Sequence, residues 1–375
     1  MKNMITVREV KTKKEQRDFI RFPLRLYKNN PYFVPLLYAD EKKLFQSDYM
    51  YYDQAKAVYY NAYLDGKMVG RISGILQYAA NEKWQQKRVR FTRFDAIDNQ
   101  EVASALFQAI ETWAKQEQME EIVGPLGFSD QDREGLLIEG FSELSTFEEQ
   151  YNYPYYADLI EGCGFQKEVD WVERKLKAPA VIDERIKRIS DLMLRKYKLH
   201  YGTAKNTKEF LNKYADQFFE IAELTYRDLY ATVPFTDRVK KELIQSFKLI
   251  IDLRYVAVLL DENEKVVCFG IAFPSIGKAL QKSGGRLSPL TIFKLFKSIR
   301  FPKIIDLGLI GVLPEYQNKG VSTALIYKIM EMLSTGKVAY AETNLNLEDN
   351  VNIINQWKNF DSVQHKRRRA YVKKI

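Results

Sequence analysis

A chain of 375 residues, 46% hydrophobic and 29% charged, is globular in composition and long enough for two domains rather than one core. No apolar run approaches the ~18 residues of a membrane span, and the strand-like start at residues 1–8 lacks the apolar segment of a signal peptide. Two cysteines, Cys163 and Cys268, make no disulfide framework, so a cytoplasmic setting is expected; two histidines, His200 and His365, argue against a zinc centre or a serine–histidine triad. Chemistry is then expected from carboxylates, tyrosines, lysines or the backbone.

In chain order, a strand over residues 5–10 leads to a helical region and a turn at Asn30-Pro31-Tyr32-Phe33-Val34-Pro35. Residues 57–64 and 67–78 flank Asp65-Gly66, a hairpin signal. A strand over 89–94 precedes a helix over 99–116, with Asp98 as its cap and Glu101 completing a capping box. A strand over 121–123 ends in Gly124-Pro125, and residues 126–152 read as a long irregular segment before a helix over 155–161. The polar stretch Lys175-Leu176-Lys177-Ala178-Pro179-Ala180 marks a boundary, giving domains 1–177 and 178–375.

The second half repeats the order: a strand over 199–205, a helix over 208–229 and a hairpin over 255–273. A strand over 304–313 runs into Pro314-Glu315-Tyr316-Gln317-Asn318-Lys319-Gly320-Val321-Ser322-Thr323, then a helix over 321–333 closed by Gly336, and strands over 337–342 and 368–374. Net charge is −4 over residues 1–176 and +13 over the remainder, so the half with this loop suits an anion. Strand, glycine turn and helix make a phosphate cradle, because N–H groups of the turn and first helical turn have no intrahelical partner. An extra piece, residues 275–301, carries an amphipathic basic pattern open to four readings: a surface helix, a lid, a dimer contact or a membrane-surface element.

The spacing Gln317-x-x-Gly320-x-Ser322 resembles the pyrophosphate loop of the GNAT (GCN5-related N-acetyltransferase) superfamily. With the repeated element order, the chain resembles a tandem pair of GNAT-like domains of mixed α/β class, the first degenerate at the cofactor loop. The resemblance implies an N-acyltransferase that passes an acyl group from acetyl-CoA or another acyl-CoA directly to a primary amine of a small molecule, amino acid or peptide. It places the pyrophosphate on the backbone of Gln317, Asn318, Lys319, Gly320, Val321, Ser322 and Thr323, and the pantetheine arm on the backbone of Val312 and on Asn350. It offers Asp306, eleven positions before Gln317, as general base acting through water, with Glu342 as a second candidate. Trp357 stands where the family has a tyrosine that protonates the thiolate, and Tyr340, Tyr371 and Tyr327 are alternatives.

The first half shows Asp95-Ala96-Ile97-Asp98-Asn99-Gln100-Glu101 where a loop would follow its strand; three carboxylates and no glycine imply no coenzyme A there. Its segment from Gly124 to Gly135 reads as an acceptor site or as a connecting loop. The basic tail from Lys366 to Lys374 reads as a charge-protected edge strand or a contact for the coenzyme's 3′-phosphate. Two other classes fit part of the pattern: a Fem-type aminoacyl-tRNA-dependent transferase, which would use the basic half for RNA, and a non-catalytic acyl-CoA sensor.

Overall fold

The computed structural model describes residues 4–375, so the first three residues of the strand-like start lie outside it. The chain forms two compact units: Met1–Val172 with Gly277–Lys294 and Lys366–Ile375, and Glu173–Ile276 with Leu295–His365. These bounds differ from the expected division into 1–177 and 178–375. The units part between Val172 and Glu173, inside a strand over Gln166–Lys177 that takes in the first three residues of the expected linker, and strand pairing assigns Lys366–Ile375 to the first unit.

In the first unit β1 (Ile5–Glu9) precedes α1 (Lys13–Leu26), whose capping box joins Thr12 and Glu15, and the short α2 (Tyr38–Lys43). The hairpin β2 (Ala55–Leu64) and β3 (Lys67–Gln77) turns at Asp65 and Gly66, both at positive φ. After α3 (Tyr78–Trp84) come β4 (Arg88–Ala96), α4 (Gln100–Gln116) and β5 (Glu121–Gly124). The cap of α4 is Asn99, whose side chain accepts from the Val102 N–H; the expected Asp98 lies one residue too early. The segment expected to be irregular contains β6 (Leu136–Glu139), followed by α5 (Tyr156–Glu161) and β7 (Gln166–Lys177). Ile72, Phe91, Leu106, Phe107 and Ile110 form the centre of this unit's core.

The second unit opens with α6 (Glu184–Lys196), β8 (His200–Tyr201), α7 (Thr207–Tyr226) and α8 (Asp237–Ile250), a helix the sequence reading leaves out. The chain continues through β9 (Val256–Leu260) and β10 (Val266–Pro274), then α9 (Gly277–Leu280), which belongs to the first unit, α10 (Pro289–Arg300), which belongs to the first unit as far as Lys294, and β11 (Ile304–Val312) of the second. Then follow α11 (Ser322–Ser334), β12 (Tyr340–Thr343), β13 (Asn346–Leu347), α12 (Val351–Trp357) and β14 (Asp361–Lys374), which passes into the first unit at Lys366. Strands run antiparallel from β8 through β9 and β10 to β11, then parallel from β11 to β12. Phe269, Ile271 and Phe273 of β10 alternate with Cys268, Gly270 and Ala272, the period-two pattern of a strand covered on both faces. Phe269 stacks on Phe218 of α7 and Phe273 on Phe247 of α8, while Gly270 lies against Leu325 of α11.

In the first unit β14 pairs antiparallel with β5 through Tyr371↔Gly124 and Lys374↔Glu121, and with β6 through Arg369↔Leu136. The tail is therefore not a solvated charged edge. Lys366 and Arg368 are buried, Arg367 and Arg369 both donate to buried Asp170, and Lys373 meets Glu111. Burial opposes ionisation of Asp170, but these cations hold its carboxyl below the usual range.

Candidate active site

In the second unit β11 and β12 pair in parallel only from Ile304↔Tyr340 to Leu307↔Thr343; β11 then continues to Val312 without that partner. Two parallel strands that part in this way leave an open edge with backbone N–H and C=O groups to satisfy. At the point of parting β11 carries a bulge. Ile271 faces Leu309 and Ala272 faces Leu307, so Gly308 is the extra residue. A side chain at Gly308 would reach 2.6 Å from the Phe273 ring, which is why glycine stands there.

Three side chains line the open edge. The Tyr226 hydroxyl donates to the Ile310 carbonyl at 2.6 Å and accepts from the Ile310 N–H at 3.1 Å. Thr225 donates to the Val312 carbonyl at 3.3 Å, and Gln317 Nε2 donates to it at 3.1 Å. Sequence reasoning offers the Val312 backbone to a pantetheine arm, but in this state its carbonyl already holds two donors. The motif glutamine thus ties the loop back onto its strand. Thr225 and Tyr226 carry no sequence signal, since they come from the end of a helix far away along the chain.

Beyond Val312 the chain makes a 3-10 turn at Pro314–Tyr316, then Asn318 and Gly320 adopt φ of +57° and +76° before α11 begins. No side chain caps α11. The Gln317 N–H goes to Pro314 and that of Thr323 to Gly320. Among the described bonds none uses the N–H groups of Asn318, Lys319, Gly320, Val321 or Ser322, the arrangement that holds an anion at a helix N-terminus. Lys319 sits 6.0 Å over the Tyr197 ring.

Asp306 and Glu342 are register partners across the parallel pair, and both are buried. Asp306 also faces Phe273, and Glu342 faces Lys175 of β7, so the two carboxylates share the sheet face opposite Ile305, Leu307 and Ala341. His365 Nε2 lies 3.4 Å from Glu342 Oε1. Glu173 joins them: one donor atom each from Glu173, Glu342 and His365 lies within 4.8 Å of the others, a set able to pass a proton or to ligate a cation. Sequence reasoning sets histidine chemistry aside on its scarcity. The fold brings one of the two histidines to a named carboxylate, and neither His365 nor Glu173 belongs to a motif.

The other named residues lie as follows. Asn350 caps α12, accepting from the Ile353 N–H at 3.3 Å. Trp357 is buried, and its indole N–H donates to Asn346 Oδ1 at 2.7 Å, a packing role. Lys175 sits 5.3 Å over the Tyr340 ring. Desolvation and Glu331 push the Tyr327 phenol up, and Tyr371 belongs to the first unit, where it donates to Glu161.

In the first unit β4 carries a bulge at the corresponding place, between the pairs Arg71↔Asp95 and Ser73↔Thr92, with Arg93 at φ +50°. No glycine supplies that conformation; Arg93 forks onto buried Glu41 at 3.0 and 3.1 Å instead. Burial opposes ionisation of Glu41, and Arg93 with Arg71 outweighs it, holding the carboxyl low. Around this pair lies a cavity of about 50 Å³ lined in part by Arg71, Asp95, Asp132, Arg133 and Tyr151. The segment from Gly124 to Gly135 therefore supplies two lining residues, while its Phe128, Ser129 and Glu134 are buried. Desolvation pushes the Glu134 carboxyl well above the usual carboxylate range.

No family model matches the sequence. The chain is 26% identical over 392 residues to Protein YghO of Escherichia coli, covering 100% of this chain and 98% of that one. It is 25% identical over 391 residues to a bacterial ceramide synthase of Caulobacter vibrioides, covering 99% and 98%. Among solved structures it superposes on a tandem GNAT protein from the clavulanic acid biosynthesis pathway with a TM-score of 0.55 at 12% identity, covering 99% of this chain and 98% of that one. It also superposes on the glucosamine N-acetyltransferase region of a fungal multi-domain β-N-acetylglucosaminidase, TM-score 0.56 at 11% identity, spanning 38% of that longer chain. Over its whole length the chain has the fold of a tandem GNAT protein.

Proposed function

We propose that the protein is an acyl-CoA-dependent N-acyltransferase whose donor site is in the second unit. The observation that carries this reading is the parting of β11 and β12 at the Gly308 bulge, continued by a loop whose N–H groups from Asn318 to Ser322 enter none of the described bonds and by a helix with no side-chain cap. The loop takes the pyrophosphate, and the open edge of β11 takes the pantetheine amides, with Tyr226 and Thr225 giving up their backbone bonds to the donor. The first unit, with Asp95, Asp98 and Glu101 at the corresponding place, binds no coenzyme A.

The acceptor ammonium loses a proton to Glu342, with His365 at 3.4 Å as the next station and Asp306 in register on the neighbouring strand. The free amine attacks the thioester carbonyl, the C–S bond breaks, and the thiolate leaves to recover a proton, giving an amide and free coenzyme A. The end-to-end likeness to a protein named a ceramide synthase makes a long-chain amino alcohol the first acceptor to try, since ceramide is the N-acyl derivative of such an amine.

Calorimetry with acetyl-, octanoyl- and palmitoyl-CoA tests the donor, and thiol release with a panel of short and long-chain amines tests the transfer. At least one donor is expected to bind at micromolar concentration, and Gly320→Glu is expected to abolish binding. A protein that binds tRNA and none of the acyl-CoAs would be a Fem-type transferase instead.

A further inference from the structure

Helix α10 turns its apolar residues outward. Leu290, Ile292, Phe293 and Phe296 are each more than half exposed, as is Phe301 just beyond, while the one fully buried side chain of the helix is Thr291. At 100° per residue, Ile292, Phe296, Phe293 and Leu290 cover one side, with Arg300, Lys297 and Lys294 interleaved among them. A helix packed only for stability shows the reverse arrangement.

The helix is held without that face. Ser288 Oγ accepts from the Thr291 N–H at 3.2 Å, and the Tyr38 N–H donates to the Gly285 carbonyl at 2.7 Å just upstream. At the other end Arg254 donates to the carbonyls of Ile299 and Arg300 at 3.2 Å each, while its guanidinium forks onto Asp252. The start of the helix is thus capped by Ser288 and its end held by the Arg254 side chain, and none of these bonds involves the two exposed phenylalanines between them.

Charge names the partner. From Lys278 to Lys303 there are seven lysines and arginines and no acidic residue. Cations interleaved with exposed aromatic rings, on a helix too short and too charged to span a bilayer, match an interface with anionic headgroups, where rings enter the acyl boundary and cations meet phosphates. A protein partner would ask for a continuous apolar patch with the charges at its rim. We infer that α10 and the flanking residues from Leu287 to Phe301 dock the protein on an anionic lipid surface. The inference stands apart from the acyl-transfer reading, because its readout is binding to lipid.

The full-length protein is to be sedimented with vesicles of phosphatidylcholine alone, and of phosphatidylcholine mixed equally with phosphatidylglycerol. Binding to the mixed vesicles is expected, weakened about tenfold or more by Phe293→Ser with Phe296→Ser, and to a similar extent by Lys294→Glu with Lys297→Glu. These positions are exposed, so unchanged thermal melting is expected to show intact folds. No sedimentation with either vesicle would overturn the proposal, and so would equal binding to both. A lipid-free dimer that the serine substitutions dissociate would also overturn it, by making a second copy the partner.

Discussion

Residues that carry chemistry here are those the fold makes adjacent. Glu342 is legible as a carboxylate in a strand, and Asp306 through its distance from Gln317, but His365 and Glu173 become neighbours of Glu342 only once three strands are assembled. Glu342→Gln is expected to lower turnover about a hundredfold while leaving acyl-CoA affinity unchanged, as measured by steady-state kinetics and calorimetry. Asp306→Asn acting alone to the same extent would move the base to the neighbouring strand. Tyr226→Phe leaves the Ile310 N–H and carbonyl without the hydroxyl that holds both, at a cost of about 1–3 kcal/mol in the free protein. A bound donor is expected to restore part of that loss, so acyl-CoA should raise the melting temperature of this variant more than that of the parent.

At the scale of the element, the legible features were those with local causes. The turn at Asp65 and Gly66, the two strands flanking it, and the loop between β11 and α11 follow from glycine placement and period. What the sequence hid was set by partners: β6 exists because it pairs with β14, and α8 because its Phe247 stacks on Phe273. The cap of α4 was missed by one residue because Asp98 and Asn99 are equally good acceptors and only the backbone angle chooses between them. Asn99→Ala is therefore expected to cost about 1 kcal/mol by denaturant melting, while Asp98→Ala stays within about 0.5 kcal/mol of the parent. Gly308→Val puts branched carbons where the Phe273 ring already lies. It is expected to destabilise the protein and to weaken acyl-CoA binding, whereas a bulge of no importance to the site would give destabilisation alone.

At the scale of the molecule, stability responds to pH through opposed groups. Glu41 and Asp170 have carboxyls held low by arginines, so their contribution is full above the ordinary carboxylate range and is lost as pH falls through it. Glu148 is pushed by burial from 4.5 to about 7, so the folded state binds the extra proton and stability falls as pH rises between those values. Urea midpoints across this range are expected to show that decline, and Glu148→Gln to flatten it. Two domains were legible from length and repeated order, but not the crossing of the chain between them. The last ten residues, Lys366–Ile375, supply a strand to the first unit and the arginines that hold Asp170. A ribosome therefore delivers the N-terminal portion with its sheet one strand short, and that gap stays open until the rest of the chain has been translated. Nascent protein passes through a period in which the β5 backbone is an unfilled pairing site, open to chaperones or to the tail of a neighbouring chain.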